Sequence, residues 1–236
     1  MHRSSIRLLI LSATASVCAP MTHDALSRDP TGVSERPNIV YIMADDAGYG
    51  DFSCYGQQRF STPHIDRLAR EGMRFTQHYS GSTVCAPTRC SLMTGKHTGH
   101  CSIRGNRPHK PFGQRPMDGT DVTVAELLGD AGYATGAFGK WGLGHPVTEG
   151  DPLKQGFDRF YGYNCQANAH TYYPTWLFDD AKQIELDGET YARDLILEQA
   201  LEFIRASQHP EVIARAREAF AEAHVPSPVW RFKADE

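Results

Sequence analysis

Residues Asn38 to Ala44 (Asn-Ile-Val-Tyr-Ile-Met-Ala) form a nearly continuous apolar run of strand length that stops abruptly at Asp45, Asp46 and Gly48. A strand apolar on both faces belongs inside a parallel sheet, and the two acids then stand at its carboxyl end. Ser61-Thr62-Pro63 opens a helix with Ile65, Leu68 and Ala69 on one face, and Gly72 closes it. Met73 to Tyr79 reads as the next short strand. Thr123-Val-Ala-Glu126 is a capping box for a helix that stops at Gly132, and Tyr133 to Phe138 follows as a strand. This alternation predicts an α/β domain, a parallel sheet flanked by helices. Further on, Thr175 to Phe178 and Gln183 to Leu186 suggest a hairpin with a polar tip. Thr190 is expected to cap a helix carrying Leu197, Ala200, Leu201 and Ile204, and Pro210 to start another with Ile213, Ala216 and Phe220 aligned.

Charge narrows the function classes. The 236 residues carry 24 Lys+Arg against 28 Asp+Glu, a net charge of −4, which excludes a strongly basic nucleic-acid binder. A hydrophobic fraction of 40 % is enough for a packed core. No uninterrupted apolar stretch reaches the length of a spanning helix, roughly 18 residues. At the start, His2, Arg3 and Arg7 lead into Leu8 to Val17, and Ala13-Thr14-Ala15 offers a cleavage site; residues 1–20 thus resemble a secretory signal peptide and predict export, periplasmic or secreted. Residues 21–37 read as a linker. The six cysteines, at 18, 54, 85, 90, 101 and 165, have neither zinc-site spacing nor the density of a disulfide scaffold, so most are expected to be buried small side chains.

Two groups of residues point to chemistry. Adjacent carboxylates such as Asp45 and Asp46 repel unless a cation lies between them, which suggests a divalent metal; an exposed acidic turn is the alternative. Cys85-Ala-Pro-Thr-Arg89 leads into Cys90-Ser-Leu-Met-Thr-Gly95. Pro87 suits a first helical turn and Gly95 the residue past the end, so Cys85 is placed at the amino end of a short helix, where an anionic substrate is favoured. One turn on, Arg89 offers a planar cationic fork to an oxyanion. A structural thiol and a surface cation are the corresponding alternatives.

The set NIVYIMADD, CAPTRCSLMTG and Gly139-Lys-Trp-Gly-Leu-Gly144, with Gln155-Gly-Phe-Asp158 and Phe160-Tyr-Gly-Tyr163, resembles the type I sulfatases of the alkaline phosphatase superfamily. The resemblance runs from Pro37 to about Ser207. It implies an alkaline phosphatase-like fold and hydrolysis of sulfate esters, on sulfated carbohydrates or aryl sulfates. It also implies that Cys85 is converted to formylglycine by a formylglycine-generating or equivalent enzyme. In such a site Asp45, Asp46 and the residue-85 oxygen hold a divalent ion, usually calcium. Arg89 stabilises the aldehyde hydrate, and Lys140 contacts the sulfate or the leaving group. A phosphodiesterase or phosphonate hydrolase of the same superfamily would share the Asp pair but generally use Thr or Ser as nucleophile.

Three departures stand out. Thr88 replaces the commonest serine of the signature, and Gly142 replaces a histidine that in the family contacts the formylglycine; His145 and His170 are candidates to take its place, His170 also for substrate binding. The third is that the family's later metal ligands, in an Asp-Asn-Gly context, have no counterpart. Residues 208–236 instead resemble the carboxyl tail of these enzymes. The reading is therefore residues 38–207 as the front part of the catalytic domain, with central and C-terminal strands missing. An incomplete sheet, low stability and weak or absent turnover follow as expectations, an inactive remnant being the limiting case.

Overall fold

The computed structural model describes residues 37–110 and 114–207. The chain divides into two compact units, Met1–Ile39 and Val40–Glu236, and the architecture below is that of the second. The leader, the linker up to residue 36, the Pro210 helix and the tail lie outside the described residues.

Each helix starts and stops for a local reason. Helix α1, Pro63–Glu71, begins with proline at a position that needs no N–H, and the Gly72 N–H closes it on the Leu68 carbonyl at 2.9 Å. Helix α2, Cys85–Thr94, ends at Gly95, left-handed at φ 65°, whose N–H reaches the Ser91 carbonyl at 2.9 Å. In α3, Val124–Asp130, the predicted capping box is complete: Glu126 N–H donates to Thr123 Oγ1 at 3.2 Å and Thr123 N–H to Glu126 Oε2 at 2.7 Å. Helix α4, Ala192–Ala206, is capped by Tyr191 rather than by Thr190. The Thr190 N–H and hydroxyl are both engaged by Asp187 at 2.8 Å, so that side chain serves the preceding turn instead.

Four strands, β1 (Gly136–Lys140), β2 (Arg159–Tyr163), β3 (Trp176–Asp179) and β4 (Lys182–Glu185), form one sheet in the order β1-β2-β3-β4. Only β1 and β2 are parallel, in register from Gly136 opposite Arg159 to Lys140 opposite Tyr163; the other pairs are antiparallel. The parallel pairing expected of the sheet is present in β1–β2, and the expected hairpin adds β3 and β4 in antiparallel order. The strand expected at Tyr133 to Phe138 starts at Gly136, because Gly132 and Tyr133 N–H groups close α3 onto the Gly129 and Leu128 carbonyls.

Neither Asn38 to Ala44 nor Met73 to Tyr79 joins a ladder. Tyr41 is 63 % exposed, Met73 77 % and Tyr79 78 %. A strand apolar on both faces is stable only with neighbours on its edges and layers above and below, and the described residues supply neither for these two segments. The sheet is incomplete.

What is present is packed on both faces. Phe160 and Phe178 join Ala86, Cys90, Ile103, Trp141 and Leu143 on the side of α2. Tyr161, Tyr163 and Leu177, the alternate positions, pack with Ala192 and Ile196 of α4. Cys90, Cys101 and Cys165 are buried free thiols, as expected for most of the cysteines. No helix of the described residues is long and apolar enough to cross a membrane.

Candidate active site

The first residue of α2 is Cys85, half-buried at the helix start. Two hydrogen bonds fix that start: Ala86 N–H donates to Asn106 Oδ1 at 3.0 Å, and the Thr88 hydroxyl to the Ser82 carbonyl at 2.8 Å. Ala86, Pro87 and Cys90 bury the helix against the core. The polar side of the same turn carries Arg89, its side chain only 14 % exposed.

Lys140 arrives from the sheet as the last residue of β1, with its side chain 10 % exposed. Its Nζ lies 2.9 Å from Asp45 Oδ2, and Arg89 Nη2 lies 3.1 Å from the same oxygen. Arg89 Nη1 donates to the Lys140 carbonyl, tying the helix to the strand end. Asp45, Asp46 and Cys85 complete the group: one ligand atom from each, all within 4.8 Å of one another. Of the sequence-predicted residues, Asp45, Asp46, Cys85, Arg89 and Lys140 are therefore brought together, although the segment carrying the two acids is not a strand.

The electrostatics follow from this crowding. Burial pushes Asp45 upward, but hydrogen bonds with Lys140 and Asp46 and the charges of Lys140 and Arg89 outweigh it and hold the carboxyl at about 2. Asp46 moves the other way, raised by its hydrogen bond to Asp45, by the Asp45 charge and by burial, against the pull of Lys140 and His170. The pair thus divides into one carboxyl held low by its cationic neighbours and one that keeps its proton longer. Burial lowers Arg89 from its ordinary value, opposed by Asp45, Cys85 and Asp46.

The two histidines differ in placement. His170, itself exposed, ends the short turn Asn168–His170, close enough to Asp46 for its charge to act there. His145 is buried, with Nδ1 2.7 Å from the Pro146 carbonyl and Nε2 3.4 Å from His109 Nδ1. Sequence reasoning missed Asn106 and Gln166. Asn106 is twenty residues from the N–H it accepts. Gln166 was foreshadowed only by the glycine at 142, since a side chain there would occupy the space its amide fills.

A family model described as Sulfatase matches residues 37–216. The chain belongs to the sulfatase family. Over 164 residues it is 38 % identical to arylsulfatase D of Homo sapiens, covering 66 % of this chain and 26 % of that protein. Over 203 residues it is 34 % identical to N-acetylgalactosamine-6-sulfatase of Sus scrofa, covering 76 % of this chain and 39 % of the relative. The crystal structure of Ps i-CgsB superposes with a TM-score of 0.62 at 28 % identity, over 70 % of this chain and 40 % of that one. A structure solved with its substrate D-glucosamine-2-N,6-O-disulfate gives 0.60 at 31 % identity, over 75 % and 32 %. The sulfatase chain described here thus spans between a quarter and two fifths of the length of these curated relatives.

Proposed function

We propose that this sulfatase-family chain carries the sulfate-ester hydrolysis site of an exported enzyme, with Cys85 as the precursor of a formylglycine and sulfated carbohydrates or aryl sulfates as substrates. The observation that carries the reading is the placement of Cys85 at the start of α2 beside a carboxylate pair gripped by Lys140 and Arg89. The names of its relatives, arylsulfatase and N-acetylgalactosamine-6-sulfatase, support the substrate class.

The donor set suits a hard divalent cation once residue 85 presents oxygen, because a thiol is a poor partner for calcium while carboxylates are good ones. Asp45, Asp46 and residue 85 would hold it, well short of the about six to eight oxygens calcium takes, so solvent or substrate would supply the rest. Bound there, the ion would withdraw charge from the sulfate oxygens. The hydrated aldehyde brings two geminal hydroxyls, one to displace the alcohol from sulfur and the other to lose its proton as the C=O re-forms and sulfate departs.

The protein's own side chains have separable tasks. Arg89 presents its guanidinium to the negative oxygens around residue 85, and its bond to the Lys140 carbonyl keeps that fork in place. The Lys140 ammonium, held on Asp45, faces the sulfate or the leaving oxygen. His170, exposed at the end of its turn, reaches the substrate. A modifying enzyme acts on Cys85 before any of this.

The test is a single-turnover reaction with protein in excess over an aryl sulfate ester. The chain as isolated is expected to release both alcohol and sulfate. Cys85→Ser, with one hydroxyl in place of two, is expected to release alcohol once and retain the sulfate. An aryl phosphate should react more slowly than the sulfate. Sulfate release by Cys85→Ala at the unsubstituted rate would overturn the reading.

A further inference from the structure

Three tyrosines gather where the chain runs from β2 towards α4. Tyr172 is 41 % exposed and Tyr173 52 %, and both rings lean on Tyr191, the residue that caps α4, with centroids 6.2 Å and 5.6 Å from it. Their backbone is fixed. The Ala192 N–H donates to the Tyr172 carbonyl at 2.9 Å, the Thr171 N–H donates to the Asn168 carbonyl at 3.0 Å, and Pro174, next in the chain, is buried. Aromatic rings held in place yet left facing water offer area that a partner can cover at little cost in order, since a tyrosine has only two side-chain torsions to fix.

Two observations place this cluster beside the Lys140–Asp45 site. Lys140 is paired with Tyr163 in the β1–β2 ladder, and the Tyr163 hydroxyl donates to the Thr171 carbonyl at 2.7 Å. One strand spacing, about 4.8 Å, and one tyrosine side chain therefore separate the Lys140 backbone from the residue that precedes Tyr172. His170, two residues before Tyr172, is close enough to Asp46 for its charge to act on that carboxyl. The exposed Arg193 adds a cation whose charge reaches Tyr163 and Tyr191. The rim of the site thus joins flat aromatic area, phenol hydroxyls and positive charge. A sugar ring matches all three: its C–H groups are drawn to the negative face of an aromatic ring, its hydroxyls exchange hydrogen bonds with phenols, and an acidic substituent meets the cation. We infer that Tyr172 and Tyr173, backed by Tyr191, form the platform on which the sugar of a sulfated saccharide stacks while its sulfate lies at Lys140 and Arg89. The inference rests on the proposed function above and narrows its two substrate classes to sulfated carbohydrates.

Binding is read without turnover by isothermal titration calorimetry of the full chain carrying Cys85→Ala, in calcium, with N-acetylgalactosamine 6-sulfate, phenyl sulfate and inorganic sulfate as probes. In that background Tyr172→Ala and Tyr173→Ala are each expected to weaken the saccharide sulfate by about three- to tenfold, the scale of one aromatic contact, and to leave inorganic sulfate unchanged. Tyr173→Phe, which keeps the ring, is expected to hold the affinity for the saccharide sulfate. Unchanged saccharide affinity in both alanine variants overturns the inference alone. An equal loss for phenyl sulfate makes the rings a general apolar wall and overturns the choice of a sugar. Loss of inorganic sulfate as well means that the tyrosines hold the shape of the site rather than touch the sugar, and this too counts against the inference. A Cys85→Ala parent that binds neither inorganic sulfate nor the saccharide sulfate overturns the inference together with the reading beneath it.

Discussion

Lys140→Met keeps the length of a side chain whose stem is buried, but removes the ammonium from Asp45. In the folded protein Asp45 sits at about 2 against an ordinary 3.8, with Lys140 foremost among the groups that lower it. At about 1.4 kcal/mol per tenfold change that depression is worth roughly 2 kcal/mol, and about 1–2 kcal/mol after allowance for a side chain one quarter exposed. Without Lys140, burial pushes the carboxyl back up, opposed by Arg89 and by the hydrogen bond to Asp46. The sign is that of a depressed carboxylate: the stabilisation is fully present above pH 3.8 and is lost as pH falls through about 2. Urea unfolding followed by circular dichroism should show Lys140→Met less stable by about 1–2 kcal/mol at pH 7, with the gap closing between pH 4 and pH 2. A gap that stays constant across that window would refute the electrostatic account of the pair and leave only a packing effect.

Three further perturbations probe the scaffold and the site. Thr123→Ala removes a fully buried hydroxyl that caps α3 and also donates to the Gln155 carbonyl at 2.7 Å, and should lower stability at pH 7 by about 1–3 kcal/mol in urea unfolding. Gly162→Ala places a Cβ 2.0 Å from the Gly139 carbonyl oxygen, so β1 and β2 must part; loss of the cooperative transition, or a drop of several degrees in melting temperature, is the expected outcome. Addition of calcium should raise the melting temperature of modified protein, and Asp46→Asn should abolish that rise.

The fold was legible in the sequence wherever local chemistry decides. Pro63 and Gly72, the Thr123–Glu126 box and Gly95 bound three helices where they occur, because caps are set by neighbours a few residues away. Where the outcome depends on distant partners, the sequence pattern points to a structure that needs more than the described residues provide. Asn38 to Ala44 has the composition of a buried strand, yet pairing is a property of neighbouring strands, and among the described residues none pairs with it. Thr190 was misread for a smaller reason: Asp187, three residues earlier, competes for its donors.

The candidate site divides in the same way. Asp45, Asp46, Cys85, Arg89 and Lys140 were readable because each falls in a short motif: an acid pair after an apolar run, Cys85 and Arg89 one turn apart in α2, and Lys140 in the glycine-flanked segment that ends β1. Gln166 and Asn106 were not, since each acts across about twenty residues or more through a contact that no spacing announces. The glycine at 142 marked an absence, and the structure supplies the amide that fills it.

The account turns on residue 85, and the mass of the tryptic peptide Phe75 to Arg89 from protein made in its own host tests it most directly, since Cys85 is its only cysteine. The account predicts a population in which the thiol has been replaced by an aldehyde or its hydrate. A peptide carrying only the unmodified thiol would contradict it.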